Sequence, residues 1–592
     1  MKRHTLILAL LITVLLMFMG CTDNPDKTII IPDGDTVESD EVVDGDDEGI
    51  IDGDGEEAVV DGDAEVDGDI EEDIPAEEEQ VEIVDHPQTG WDGVTITSIN
   101  APDETTVKIV FSRDPGEADC LSSYNYIFTS EAEQFDIENI AYDAATATVT
   151  ITTSMQKLGI EYTLTMLKGD NPTGTFLTAD TKKFWVSDMS SSNYDQYQVT
   201  AHRVAVSDTS VAYVEEGYTF PGVDQIMGEF DDMIYPTETT IFHPAPDKDG
   251  NGRIVMLGLD GGDDYGGYFS PINAMADNQT MSWWGLHSNE MEMIHINVLV
   301  DVESVGHVIA HEFQHLLYNS RHGMNQEYWE YHDEGLAESA VRVVYGSNDY
   351  AVDFYQWDYQ GKIAQGVSMV NWTYAQYENY ALAYMWWAYV AGQLDDGMDG
   401  YSAIFDMNIG SPDEVDAFTT NNFGMDFPSM YMNNLIANWV QEDSGAYSYN
   451  GTLSFPTSSA PTVGQGTQSV DIGPFTGTFF RLNDETISYP GTQGSNIVYA
   501  GIDPEGNIDL EEPFTVDGGA LLVYNKTIDY DSGNQHSGPD VASTAKATGT
   551  KSIAPMCSFK ALKTWMNPPP VNPDNLQNLH AWQKATAKRL AQ

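Results

Sequence analysis

The residues that carry the most chemistry are His311, Glu312 and His315, in the string His311-Glu-Phe-Gln-His315. On a helix, two histidines four positions apart stand one turn apart on one face, so both imidazoles can reach one metal ion. Glu312, one step further round, can reach that ion's open coordination position. A carboxylate there takes a proton from bound water, which is the chemistry of metal-assisted hydrolysis. A catalytic centre of this kind needs a third protein ligand and one vacancy. His307, one turn before His311, would close the site as a fourth ligand, so it reads as a helix-surface or core histidine. His322 and His332 read as surface or cleft residues.

Eighteen residues separate His315 from Glu334, which stands in Tyr331-His-Asp-Glu-Gly-Leu-Ala-Glu338. Together the two segments resemble the gluzincin metallopeptidases, in which a second helix supplies a glutamate ligand within a segment like W-L-N-E-G-F-A. Asp333 stands where Asn is usual and Leu336 where Phe is usual. The resemblance implies zinc held by His311, His315 and Glu334. It gives Glu338, one helical turn beyond Glu334, the part of the acid that orients a ligand histidine through its other ring nitrogen. A solvated helix acid is the competing reading. Further strings occur in order: Phe230-Asp-Asp-Met-Ile-Tyr-Pro236, Asp247-Lys-Asp-Gly-Asn-Gly252, Gly267-Tyr-Phe269 and Asn289-Glu-Met-Glu-Met-Ile294. With the metal-binding pattern they resemble secreted bacterial neutral metallopeptidases of the hyicolysin type, over roughly residues 200 to 445. Related enzymes use a Tyr or His to stabilise the oxyanion of the tetrahedral intermediate. Tyr377, Tyr380 and Tyr384 share a helical face, and Tyr380 is the choice for this role. The alternative is that all three pack the helix with Trp386 and Trp387.

Asp247, Asp249 and Asn251 have the alternating oxygen spacing of a calcium loop. Gly258 stands where the twelfth-position Glu of an EF-hand would be, so this is either another kind of calcium site or a plain turn. Of the three cysteines, Cys21 follows Lys2, Arg3, an apolar run from Leu6 to Phe18 and Gly20. The run is shorter than the ~20 apolar residues of a membrane-spanning helix and reads as a secretory signal. Phe18-Met-Gly-Cys21 resembles a bacterial lipoprotein signal, which implies acylation of Cys21, and Thr22 after it is the outer-membrane pattern of enterobacterial lipoproteins. Cys120 and Cys557 either bridge two domains or are free buried thiols; neither has the neighbourhood of a nucleophile.

The elements that must position these groups fall into six segments. Residues 1–21 are the signal and the acylated cysteine. Residues 22–92 are an acidic tether: 26 acids and no Lys or Arg lie between 33 and 85, with Val-Asp-Gly-Asp at 43–46, 60–63 and 66–69. Such a segment cannot bury a core and extends by self-repulsion. Residues 93–187 alternate like a β-sandwich and resemble the immunoglobulin-like modules of bacterial surface proteins. Residues 188–448 mix strands and helices. A single strand is expected over 204–214, a helix over 223–234 ending before Pro236, buried strands over 254–259 and 293–298, and helices over 302–318, 333–345, 380–394 and 427–441. Residues 449–570 read as a separate C-terminal β domain, and 571–592 as a short helical tail. The fold class is therefore multidomain, an α+β zincin-type unit between two β domains.

The formal charge is −71, and taking away the 26 acids between 33 and 85 leaves −45. A chain so acidic repels nucleic acid and anionic lipid, so membrane association is expected only through the N-terminal anchor. Three cysteines cannot supply the main stability. The leading expectation is a cell-surface or secreted zinc endopeptidase acting on protein or peptide substrates. A gluzincin aminopeptidase is the nearest rival. A surface adhesin with a structural or dead metal site is a second class, and the intact Glu312 argues against it. A carbohydrate-active protein would rest on the β domains alone.

Overall fold

The computed structural model describes residues 90–543, apart from 131–133, 189–194, 263–264, 324–329, 359–360, 371–376, 395–398, 410–411, 464–465, 469–470, 483–485, 490–495, 512–513, 529–535 and 538–540. The signal, Cys21, most of the tether, Cys557 and the tail expected at 571–592 lie outside the described residues. Contacts divide the chain into residues 1–83 and 84–592, and everything below concerns the second unit. It is a multidomain mixed α/β structure with several β-sheets.

Strands β1 (Ile96–Asp103), β2 (Thr106–Phe111), β4 (Ile137–Asp143) and β5 (Thr148–Thr153) form one antiparallel sheet. Strands β3 (Tyr126–Thr129), β6 (Glu161–Met166) and β7 (Thr173–Leu177) form a second. Alternation puts Val107, Ile109, Val149 and Ile151 of the first sheet and Tyr162 and Leu164 of the second into one closed core. The sandwich ends there. The next strand, β8 (Thr181–Ser187), leaves it and pairs with β9 (Gln196–Val206) at one edge of a six-stranded sheet. The expected boundary at 187 therefore moves to about 178. Alternation alone could not settle this, because an antiparallel strand at a sheet edge reads the same in either domain.

That sheet runs in the order β12-β13-β11-β10-β9-β8, with β10 (Ser210–Glu215), β11 (Ile254–Leu259), β12 (Gly267–Phe269) and β13 (Met293–Asn297). β10, β11 and β13 are parallel and buried on both faces, which is why apolar residues dominate all three, with His295 and Asn297 the buried polar residues of β13. The single strand expected over 204–214 is instead the β9–β10 hairpin, turned at 207–209.

The helix expected to end before Pro236 also departs from the sequence reading. Helix α1 (Val223–Glu229) runs through a π turn, Phe230–Ile234, into α2 (Tyr235–Ile241). The wide turn restarts the helix, so Pro236 sits in a first turn, where its missing N–H is not needed. Helix α3 (Val302–His322) is buried almost all round between Val305 and Tyr318, so it lies inside the fold rather than on it. Gly323, at φ 71°, ends it. Helices α4 (Glu330–Tyr345), α5 (Asp349–Trp357), α6 (Tyr377–Gln393) and α7 (Phe427–Val440) follow. Among the described residues no helix is long and apolar enough to cross a membrane.

Residues after 448 do not make a wholly separate core. A five-stranded sheet carries β15 (Thr476–Arg481) and β18 (Ala520–Asn525), with β14 (Thr462–Val463), β16 (Ile497–Ile502) and β17 (Ile508–Asp509) beside them. Phe475, Phe479, Leu522 and Tyr524 join the same apolar cluster as α7. Phe427 lies 4.5 Å from Phe475, and Tyr431 4.8 Å from the same ring, centroid to centroid. The opposite face of the sheet has its own small core around Phe480, Val516 and Leu521.

Candidate metal centre

α3 and α4 bring the predicted ligands together. His311 Nε2 lies 3.2 Å from His315 Nε2 and 3.2 Å from Glu334 Oε2, and His315 Nε2 lies 3.3 Å from the same carboxylate oxygen. All three residues are buried. Donor atoms ~2.0 Å from a common tetrahedral centre stand ~3.3 Å apart, so two imidazoles and one carboxylate fit a zinc ion in both chemistry and spacing. The next residue on α3, Glu312, is also buried, with its Cγ 3.4 Å from where a Cβ on Gly267 of β12 would stand.

The backbone makes this convergence possible at Gly335. A Cβ there would meet Trp387 Cδ1 at 2.6 Å and the Ala383 carbonyl carbon at 2.9 Å. The glycine lets α6 approach α4 at the residue after Glu334. Trp387 Nε1 donates to the Tyr331 carbonyl at 3.0 Å and ties the two helices together.

Each histidine has an acid on its other nitrogen. His315 Nδ1 is 2.9 Å from Asp333 Oδ1, a hydrogen bond. His311 Nδ1 is 3.6 Å from Glu338 Oε1, an ion-pair distance beyond hydrogen-bond reach. Glu338 is fully buried, not a solvated helix acid. Asn348 Nδ2 holds its other oxygen at 2.7 Å, and the Tyr377 hydroxyl donates to that oxygen at 3.3 Å. Burial raises the Glu338 carboxyl above the usual range, against the lowering effect of His311, Asn348 and Tyr377. A buried group of three carboxyls, Asp333, Glu334 and Glu338, around two imidazoles is the setting in which a divalent cation relieves repulsion and desolvation.

Of the three tyrosines on one face of α6, Tyr377 uses its hydroxyl on Glu338. Tyr380 has its ring 6.4 Å from the His311 ring, and Tyr384 is fully buried. His307 is exposed on α3 with its ring against Tyr345. His332, expected at the surface or in a cleft, is buried, edge-on to Trp387 at 5.0 Å and packed on Tyr318. It lies between Tyr318 of α3 and Trp387 of α6, a place that only the packing of these helices makes. His322 is half-buried, its Nε2 2.8 Å from the Phe405 carbonyl.

Sequence reasoning gave no role to Asp333 or Asn348. Asp333 carried a signal, since it adjoins Glu334 and replaces the usual Asn. Asn348 carried only that of a helix cap: its Oδ1 accepts from Ala351 N at 3.2 Å and starts α5.

A second acidic group differs from the expected calcium set. Carboxylate oxygens of Asp247, Asp249 and Glu292 lie within 4.8 Å of one another. Asn251 turns away: its Oδ1 accepts from Arg253 N at 2.6 Å and its Nδ2 donates to Asp249 at 2.9 Å, closing an Asx-type turn. Burial raises Asp249 to about 6 and Glu292 to about 7, and each is raised further by a neighbouring acid. Cys120 is a buried thiol pushed up to about 12 by burial and by Asp114 and Asp119, which disfavours it as a nucleophile.

No family model matches the chain, and no curated protein matches it. Among solved structures, a bacterial surface-layer protein, SbsC (domains 1–6), matches 16% of this chain and 15% of its own at 16% identity and a TM-score of 0.14. The N-terminal part of the same protein matches over 18% of this chain and 30% of its own, at 14% identity and the same TM-score. A third structure, of residues 31–844, matches 19% of this chain and 18% of its own at 15% identity. The chain thus spans less than a third of any of these, and likeness on that scale says nothing of the site.

Proposed function

We propose that this protein is a zinc-dependent endopeptidase of gluzincin type. The observation that carries the reading is the convergence of His311 Nε2, His315 Nε2 and Glu334 Oε2 at 3.2–3.3 Å, with a buried glutamate, Glu312, as the next residue after His311 on α3. When bound there, zinc would polarise a carbonyl and lower the pKa of a water to ~7. Glu312 would accept that water's proton and pass it to the leaving amine. Asp333 would hold the His315 tautomer that leaves Nε2 free to bind metal. Tyr380 is the donor proposed for the oxyanion.

A peptide substrate suits the surroundings. β12 is the last strand of its sheet, and a Cβ on Gly267 would stand 3.4 Å from Glu312 Cγ. An extended peptide can add to such an edge through its own backbone, which would bring a scissile bond near Glu312. A pocket of about 380 Å³ between β12, α3 and the 275–283 segment, lined by Phe269, Met275, Trp283 and Leu316, could take an apolar side chain. The lipoprotein-type signal, the acidic tether and Cys21 support anchoring at the outer surface of a bacterial cell.

The test is metal content and proteolysis in wild type and Glu312→Gln. The variant should keep about one equivalent of zinc and lose chelator-sensitive casein cleavage by 10³-fold or more. Equal activity in the variant would reject the mechanism. Cleavage of an aminoacyl reporter alone would assign an aminopeptidase. Zinc without turnover in wild type would leave a binding protein.

A further inference from the structure

Outside the proposed zinc centre, Asp247, Asp249 and Glu292 form the other group whose oxygens converge among the described residues. Asp247 and Asp249 sit on the loop that leads into β11, and Glu292 immediately precedes β13. Glu292 is only 1% exposed. Its Oε2 accepts from Lys248 N at 2.7 Å, while its buried Oε1 has no hydrogen-bond partner. A protonated Glu292 would have to donate from one of these oxygens. Oε2 already accepts, and nothing receives a proton from Oε1. An ionised Glu292 needs positive charge instead. The charge of Lys157 and Lys182 acts on Asp249, while the charged neighbours of Glu292 are the acids Asp249 and Asp247.

We infer that Asp247, Asp249 and Glu292 bind a calcium ion. Carboxylate oxygens are the ligands this cation prefers, and two on opposite sides of it at ~2.4 Å stand ~4.8 Å apart; the three oxygens of the group lie within that distance of one another. Main-chain carbonyls and water would complete a six- to eight-oxygen shell. The ion would clip the 247–252 loop to the start of β13. Through the Lys157 contact with Gly250 it would also stiffen the seat of the β-sandwich. The site shares no ligand with the His311 centre and needs no catalysis.

Calcium binding to the full-length, zinc-loaded protein tests this, by equilibrium dialysis and by thermal unfolding across a calcium titration. The acidic tether contributes the same weak background to every variant. Wild type should bind one saturable calcium more than Asp247→Asn or Glu292→Gln, and its melting temperature should rise with calcium. Each variant should lose that response or need at least ~10-fold more calcium. Asp247 is exposed, so its variant keeps the test sound even where Glu292→Gln disturbs folding. Identical stoichiometry and identical melting responses in all three proteins would overturn the inference.

Discussion

Asp333 Oδ1 holds His315 Nδ1 at 2.9 Å, so the imidazole presents an unprotonated Nε2 toward His311 and Glu334. Asp333→Ala should therefore weaken zinc binding 10- to 100-fold in a competition assay against a chelator. Asp333→Asn keeps an acceptor oxygen and should lose less. Unchanged zinc affinity in the alanine variant would remove Asp333 from the site. A second residue sets the response to acid. His295 is wholly buried, stacked on Tyr268 at 3.9 Å, and burial lowers it to about 3. Unfolded, the same imidazole titrates near 6.5. Between those values the unfolded chain takes up a proton that the fold refuses. The contribution is complete above pH 6.5 and is lost as pH falls toward 3, at up to ~1.4 kcal/mol per pH unit. His295→Phe keeps the stack and removes the titration. Its stability should fall less steeply from pH 6.5 to pH 4 in denaturant melts, and acid limbs parallel to wild type would contradict this.

At the scale of elements, the centre depends on the approach of α3, α4 and α6. Gly335 permits it, since any side chain there meets Trp387 and the backbone of Ala383. Gly335→Ala should push α4 away from α6 and cost roughly 1–3 kcal/mol of stability, the usual range for overpacking. Because Glu334 is the adjacent residue, zinc occupancy should fall with it. A variant with wild-type melting temperature and full zinc would mean that α4 can shift without moving its ligand.

For the whole molecule, the apolar cluster shared by α7 and the C-terminal sheet decides what can be removed. A chain cut after residue 448 would expose Phe427, Tyr431 and Trp439, which pack on Phe475, Tyr524 and Phe479. Burial of each such side chain contributes ~1.5–3 kcal/mol, so the shortened chain should lose its cooperative thermal transition. Retention of that transition would show that the sheet is dispensable. The sandwich differs, because its core is separate and it meets the larger sheet partly through polar contacts such as Lys182 with Glu104 at 2.7 Å and the Thr181 hydroxyl donating to the Pro102 carbonyl at 2.6 Å.

The sequence by itself determined the pairing of His311 with His315, because four residues on a helix always place two side chains on one face. It also determined the buried strand at 254–259 and the one expected over 293–298, the acidity of residues 33–85 and the candidacy of Glu334. Those features are local, set by helical and strand periods and by charge. Tertiary structure alone decided that strand 181–187 leaves the sandwich, that the helix runs past Pro236, and that the C-terminal sheet completes the helical core. It also placed Asp333 on His315, buried His332 against Tyr318 and Trp387, and brought Glu292 to Asp247 and Asp249 where Asn251 was expected. Each of these depends on which surfaces meet across long stretches of chain, and no spacing within one segment encodes that.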